Sequence, residues 1–475
     1  MMTTNATMMT TNATTIAAWM TIAGAAEEAL HGNHYDVRNP ADGSIVGTAA
    51  LGAPEDAARA VDAAIRAFPV WHEMPVAERA SRLSESLSAV AAHAHEIAVL
   101  ITREEGKPLQ ESLDEVAVFL ERMRAMIVIA QASKGGEIPL WPSRQSGYAA
   151  EQNRPGAGVT AALVAWNFPV GLMAKKIGPA LLAGGTVVLK PAFTTPLASS
   201  WVIQIMNASA LPAGVLNCVT GRGQDVGEAL VSDPRVRRIH LTGSEATARR
   251  IGGAVSSADA ELVLELSGSN PMIVCADASW EGALNAAVVG RFRNAGQVCT
   301  AVKRLYVATE IYEDFVRELR SRIALLEPED GLIPASAPRT RIGPVHTETH
   351  RAKLEEQLAD ALHRGAEVLI GGRRPAHAHP HGHFLEPTLV AGAPCDCKLV
   401  TEEVFGPVLP VFRTTSLDDA IAQANQSPWE LGASIWTADY SEARRARRSV
   451  RSREFWINQL RFGGDRPAAN GTSTG

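Results

Sequence analysis

Cysteine is scarce in this sequence. The five present (Cys218, Cys275, Cys299, Cys395 and Cys397) among 475 residues form no repeating framework. That excludes a disulfide scaffold and leads us to expect a reducing, cytoplasmic compartment. No apolar run reaches the roughly 18 to 20 residues that span a bilayer, so no membrane partner is expected. Neither sign of charge is in excess: 45 basic and 51 acidic residues leave a formal charge of −6, which gives no reason to expect nucleic acid. Residues 1–24 lack Lys and Arg and repeat Met-Met-Thr-Thr-Asn-Ala-Thr at once. They therefore carry neither the basic start of a secretion signal nor the arginines of a mitochondrial presequence, and a disordered leader is expected there.

What is present is a long chain of ordinary globular composition, 46% hydrophobic and 20% charged. Its length exceeds what one hydrophobic core usually serves, so two or three domains are expected. A turn at 40–43 precedes helical patterns over 54–68, 77–102 and 109–130. The Pro- and Gly-rich stretch 134–155 breaks that periodicity and reads as a protruding hairpin or a domain crossing. From 158 onward short apolar runs at 159–164, 186–189, 215–220 and 238–241 alternate with helices at 177–182, 197–208, 225–230 and 245–251. This is a βαβ series, which predicts an α/β fold with a parallel sheet covered on both faces and a nucleotide site at the strands' carboxyl ends. A second α/β region follows Glu265.

Two residues stand out on local grounds. Cys299 follows a Gly-Gln turn after a helix over 281–292 and precedes a strand at 305–308, a place that can present a side chain at a cleft. A lone cysteine also serves as a small buried hydrophobe. Glu265 closes the apolar run 262–264, read as a buried strand, just before Ser267-Gly268-Ser269. That suits a general base, and equally a solvent-facing strand end or a salt-bridge partner.

Ordered motifs extend these readings. They are Ala165-Trp166-Asn167-Phe168-Pro169, Gly184-Gly185-Thr186-Val187-Val188-Leu189-Lys190-Pro191-Ala192, Leu211-Pro212-Ala213-Gly214-Val215 and Leu241-Thr242-Gly243-Ser244. They continue with Leu264-Glu265-Leu266, Asn294-Ala295-Gly296-Gln297-Val298-Cys299 and Glu402-Glu403-Val404-Phe405-Gly406-Pro407. In order and spacing, from about 39 to 464, the chain resembles the aldehyde dehydrogenase superfamily, closest in appearance to its succinate-semialdehyde dehydrogenase-like members. The resemblance implies a Rossmann-like cofactor domain over 25–132 and 155–263, an oligomerisation hairpin over 133–154 and an α/β catalytic domain over 264–458. It implies NAD or NADP as cofactor and no metal. Cys299 is then the nucleophile that forms a thiohemiacetal and a thioester, Asn167 an oxyanion donor and Glu265 the base that activates water. Trp166, Lys190, Gly223, Gly243, Ser244, Glu403 and Phe405 fall at cofactor positions. Lys175 and Arg293 fall where a basic pair meets the carboxylate of a short anionic aldehyde.

Some positions depart from the family pattern. Phe193 stands where a glutamate binds the adenosine ribose, so discrimination between NAD and NADP is expected to be weak. Ser267 and Ser269 replace a glycine and a lysine, and Ala248 replaces a helix glycine. The loop between Asn458 and Phe462 is short, and 459–475 form an atypical tail without the usual final strand, so the expected homo-oligomer is a dimer rather than a tetramer. His377, His379, His381 and His383 alternate in a Pro/Gly-rich loop, read as surface rather than as a metal site. Two other functional readings follow from the same residues. One is a silent structural or binding relative, supported by the altered tail. The other is a coenzyme A-acylating enzyme, which retention of Glu265 opposes.

Overall fold

The apolar runs after residue 158 fold as parallel strands. Val159–Leu163, Thr186–Lys190 and Leu216–Cys218 are buried at every position, as strands covered on both faces must be. They pair in parallel, with Val159 opposite Thr186 and Val187 opposite Leu216. On the other side of Val159–Leu163 lie Val236–Thr242 and then Glu261–Glu265, also parallel. The chain thus enters mid-sheet, winds one way and then returns to wind the other. That leaves a switch point between Val159–Leu163 and Val236–Thr242, where a doubly wound sheet opens a crevice beyond its carboxyl ends. Antiparallel strands Met20–Ile22 and Ala25–Glu27 complete seven.

The computed structural model describes residues 16–132, 158–257, 259–334 and 339–460. Contacts divide the chain into two compact units. The first holds the sheet above and the described residues of 16–38, 45–104 and 113–265. The second holds 39–44, 105–112 and the described residues from 266 onward. The two short pieces join the second unit through their backbone: the His383 N–H donates to Pro40 O at 2.9 Å and the Leu109 N–H to Gly331 O at 3.0 Å. The expected hairpin over 133–154 and the tail beyond 460 lie outside the described residues.

The second unit is built on another seven-stranded sheet. Its order runs Glu367–Ile370, Thr388–Ala391, Val408–Thr414, Val302–Ala308, Asn270–Val274, Gly432–Trp436, Glu454–Ile457, and every neighbouring pair is parallel except the first. Helices Trp280–Phe292 and Tyr312–Ile323 pack Leu284, Phe292, Phe315 and Leu319 onto one of its faces.

The structure corrects four expectations. The leader does not extend through 24, because Ile16–Ala18 pairs with Ile45–Ala50 and Met20–Ile22 is fully buried; the polar repeat before them had hidden these short apolar strands. The helix expected over 77–102 is two, Val76–Ala92 and Ala94–Glu105, broken at His93. The helix expected from 177 begins at Gly171. Its first N–H groups, those of Val170 and Gly171, donate at 2.9 Å to the carboxylate of Glu115, 55 and 56 residues away, so no local capping signal marks the start. Finally, Glu261–Glu265 is not buried: it is the sheet's edge strand, and Leu262 and Leu264 are 36% and 37% exposed.

Candidate active site

In the first unit, candidate residues gather at the carboxyl ends of the parallel strands. Trp166 and Asn167 occupy the turn between Val159–Leu163 and helix Gly171–Leu182, and Asn167 is buried. That turn is fixed from several sides. Glu115 holds the helix start, Ser199 Oγ donates to Pro169 O at 2.9 Å, and Thr195 Oγ1 donates to Trp166 O at 3.3 Å. Lys190 ends the neighbouring strand. Its ammonium is buried and donates to Pro191 O at 3.0 Å; burial pulls it down to about 8, opposed only by weak attraction from the Cys218 thiol. A buried cation facing no carboxylate fits an anionic or polyhydroxyl ligand such as the cofactor's adenosine half. Phe193 is half-buried and lies flat against Tyr35. Gly223 opens the turn Gly223–Gly227.

The Thr242-Gly243-Ser244 turn already uses part of its hydrogen-bonding capacity within the protein. The Gly243 N–H donates to Glu265 O at 3.1 Å, and Ser244 Oγ accepts from the Thr247 N–H at 3.2 Å as the cap of helix Glu245–Ala254. Gly243 therefore ties the strand that ends in Glu265 to its neighbour.

Sequence reasoning overlooked Lys176. It is 2% exposed and donates from Nζ to Thr242 Oγ1 at 2.6 Å. Burial lowers it to about 7, while the charge of Glu265 pulls it back up and Lys175 pushes it further down. Lys175, Lys176, His240 and Glu265 thus interact within one neighbourhood of this unit. Nothing in the pair Lys175-Lys176 marks which of the two is buried; only the helix phase does, and that was misread at its start.

In the second unit, the chain leaves helix Trp280–Phe292 through a turn of left-handed residues, Asn294 (φ 49), Ala295 (φ 51) and Gly296 (φ 74), before Cys299. For the two that are not glycine this backbone costs roughly 1–2 kcal/mol each, and hydrogen bonds hold it. The Asn294 N–H donates to Glu111 Oε2 at 2.7 Å. Gln297, wholly buried, accepts from the His346 N–H at 2.8 Å and donates to Asn294 O at 3.1 Å. Arg291, also wholly buried, donates to the carbonyls of Val302, Gly296, Val404 and Gly406. Its burial lowers it to about 9, opposed by the charge of Glu403. One arginine therefore joins the turn before Cys299 to the loop of Glu403 and Phe405. Asn270 Nδ2 donates to Cys299 O at 2.9 Å, Cys299 is half-buried, and Arg293 stands at the turn's entrance.

Glu403 and Phe405 share a partner that the motifs did not reveal. Buried Lys303 donates from Nζ to Glu403 Oε1 and to Gly268 O, and lies 5.1 Å from the Phe405 ring centroid. Burial lowers its ammonium, with Glu403 opposing. Phe405 also stacks on His350, centroids 5.9 Å apart. Among the described residues no group of three or more His, Cys, Asp or Glu side chains is placed to hold a metal ion.

The first unit thus holds a doubly wound sheet with a buried lysine at a strand end, and the second a half-buried cysteine after a pinned turn. The chain belongs to the aldehyde dehydrogenase family, which it matches over residues 27–472. It is 36% identical to the succinate-semialdehyde dehydrogenase [NADP(+)] GabD of Escherichia coli (strain K12), covering 87% of this chain and 84% of that protein. It is 35% identical to the lactaldehyde dehydrogenase of the same organism, with 90% and 87% covered. The crystal structure of an E. coli NADP dependent enzyme superposes with a TM-score of 0.89 at 34% identity, covering 94% of this chain and 91% of that one. The protein is an aldehyde dehydrogenase that oxidises an aldehyde to a carboxylate with NAD or NADP. Among the described residues no helix is long and apolar enough to cross a membrane.

Proposed function

We propose that Cys299 is the nucleophile of this oxidation and that the substrate is a short aldehyde bearing an anion. The observation that carries the first part is the turn before Cys299, whose left-handed backbone is held by Arg291, Gln297 and Glu111. A fixed nucleophile gains rate by starting near its attack geometry. The thiolate adds to the carbonyl carbon to give a thiohemiacetal, and the Asn167 amide and the Cys299 N–H donate to the developing oxyanion. The bound nicotinamide supplies the hydride acceptor, Lys190 holds the adenosine side, and Glu403, positioned by Lys303, holds the nicotinamide ribose. Glu265 then takes a proton from water, which attacks the thioester carbon and expels the Cys299 thiolate. Lys176, near 7, is able to receive that proton in turn.

Lys175 and Arg293 are the proposed carboxylate contacts. Support comes from their positive charge at the matched positions and from the relative named for succinate semialdehyde. A lysine in place of an arginine lacks the bidentate fork, so geometric discrimination should be loose. We read the protein as a cytoplasmic homodimer with no nucleic-acid partner, from its five free cysteines and the exposed Leu262 and Leu264 edge. Light scattering after size exclusion tests that assembly.

The deciding experiment uses Glu265→Gln. Brief exposure to aldehyde and cofactor should leave a thioester on Cys299, visible as an intact-mass increase, while steady turnover falls. No adduct together with an unchanged rate would sink the assignment. The same assay with added coenzyme A separates hydrolysis from acyl transfer, and no turnover across an aldehyde panel would mark a silent relative.

A further inference from the structure

Exposed arginines of the second unit mostly carry an acidic partner. Arg317 pairs with Asp314, Arg339 with Glu327 at 3.0 Å and Arg364 with Asp396 at 2.8 Å. One stretch breaks that habit. Residues 444–453 hold six arginines, no lysine and no acid. Of the six only Arg445 is paired, with Asp418 and Glu442.

Arg444, Arg447, Arg448, Arg451 and Arg453 are exposed and form no ion pair among the described residues. Helix Tyr440–Ser449 turns Ala443 and Ala446 inward, onto the same core as Val450. Spacings of three and four residues then gather Arg444, Arg447 and Arg448 on its outer face. Tyr440, 68% exposed, stands one turn before Arg444 on that face. Arg451 and Arg453 carry the charge on towards strand Glu454–Ile457. Their backbone N–H groups donate to Asn425 Oδ1 at 2.9 Å and to Glu430 O at 2.8 Å. The acids of the helix are engaged elsewhere: Glu442 pairs with Arg445, and Asp439 accepts from the Ser441 N–H at 2.7 Å as the cap. A helix C-terminus favours a cation, which accounts for Arg447 or Arg448 singly. It does not account for like charges set side by side, which repel one another.

An anionic partner would relieve that repulsion. The chain as a whole carries −6, so a long polyanion running past the patch would meet repulsion from the rest of the molecule. Arg444 to Arg448 covers only about 6 Å of helix axis, within one Debye length of about 8 Å, and a short anionic segment would meet the arginines alone. Each cation is an arginine, whose fork matches a carboxylate with two hydrogen bonds. An exposed tyrosine beside arginines is also the composition that carries binding energy between proteins. Alternate side chains of an extended peptide lie about 7 Å apart on one side, and arginines one helical turn apart are separated by about 5–6 Å. Acidic residues at alternate positions would therefore reach successive arginines. We infer that the outer face of helix Tyr440–Ser449, with Arg451 and Arg453, docks an acidic segment of another polypeptide.

The probe is a short fluorescein-labelled peptide alternating glutamate and glycine, titrated with the purified full chain at physiological salt and followed by anisotropy. It should bind with a Kd below about 100 µM, and its glutamine counterpart at least roughly tenfold more weakly. Arg448→Glu should lower the peptide's affinity at least about tenfold, and Arg448→Lys should keep most of it. Arg320→Glu makes the same change of charge at an exposed arginine of helix Tyr312–Ile323 and should stay within about twofold of the parent. Aldehyde oxidation should continue in all three variants, because neither position belongs to the active site. No binding of the peptide, or equal losses in Arg448→Glu and Arg320→Glu, would overturn the docking face; equal losses would reduce it to an effect of net charge. A single-stranded oligonucleotide or an anionic phosphatidylglycerol vesicle that binds more tightly than the peptide, and weakens in Arg448→Glu, would overturn the polypeptide as occupant.

Discussion

The turn that presents Cys299 and the strand that ends at Glu265 are built on opposite plans. The turn is buried from Asn294 to Gln297, strained at two residues that are not glycine, and tied by a buried arginine to a second functional loop. The strand is an exposed sheet edge, held at its end by the Gly243 N–H to the Glu265 carbonyl. The difference matches the two proposed tasks. A nucleophile must meet a carbon along one direction, so its backbone is fixed at some cost in strain. A base that activates water needs access to water, which an interior strand would deny it.

The most severe way to break this comparison is to remove the thiol. Cys299→Ala should abolish oxidation and leave cofactor affinity unchanged, measured by nicotinamide absorbance and by calorimetry; appreciable turnover would refute the nucleophile. Next comes the turn itself with the thiol retained. A Cβ on Gly296 would collide with the Gly406 carbonyl, and the residue's φ of 74 is unfavourable to alanine. Gly296→Ala should therefore lower kcat by on the order of a hundredfold through misplacement, with 5′-AMP binding retained as the sign that the first unit is folded. An unchanged kcat would mean that the pinning is not needed for chemistry.

A smaller effect is expected at Arg293. In Arg293→Gln the kcat/KM preference for succinate semialdehyde over butanal should fall by about tenfold, the scale of one charge-assisted bond. A ratio that does not move would remove the anion site and leave a general aldehyde dehydrogenase.

The smallest effect concerns Lys176 and is a matter of stability. Its ammonium is lowered from 10.5 to about 7 by burial, so the folded state resists protonation. Below pH 7 the lysine is charged in both states and the full cost of burying it is felt; the cost shrinks as pH rises and is gone above 10.5. Lys176→Met should accordingly raise Tm by a few degrees at pH 6.5 and by less at pH 9.5, while slowing thioester hydrolysis. A gain that is larger at pH 9.5 would show that the lysine is not held neutral.

Much of this was legible in the residue pattern, for identifiable reasons. Strands such as Val159–Leu163 and Thr186–Lys190 are apolar throughout because both faces are covered, and they read so directly. Cys299, Glu265 and Asn167 stood out because ordered motifs surround them. The run 262–264 suggests burial because an apolar strand looks the same in sequence whether it is covered or lies exposed at a sheet edge. Lys176, Arg291 and Lys303 escaped notice because a buried cation among apolar neighbours has no local signature. Its acceptors, Thr242 for one and the carbonyls of Val404 and Gly406 for another, come from distant stretches of chain.

Segments 39–44 and 105–112 have a consequence for the order in which this protein is made. Both leave the ribosome early, yet their partners are Gly331, His346 and His383; the ring of His346 meets the carbonyl of Glu105 across 241 residues of sequence. Buried charges at Glu105 and Lys107 therefore wait, unsheltered, through most of translation. The first unit is fully synthesised once Glu265 is made, whereas the second must wait for the chain from 266 onward before its two early segments find their places. Cutting the gene after Glu265 would leave the second fragment without 39–44 and 105–112, which stay on the first, rather than give two independent modules.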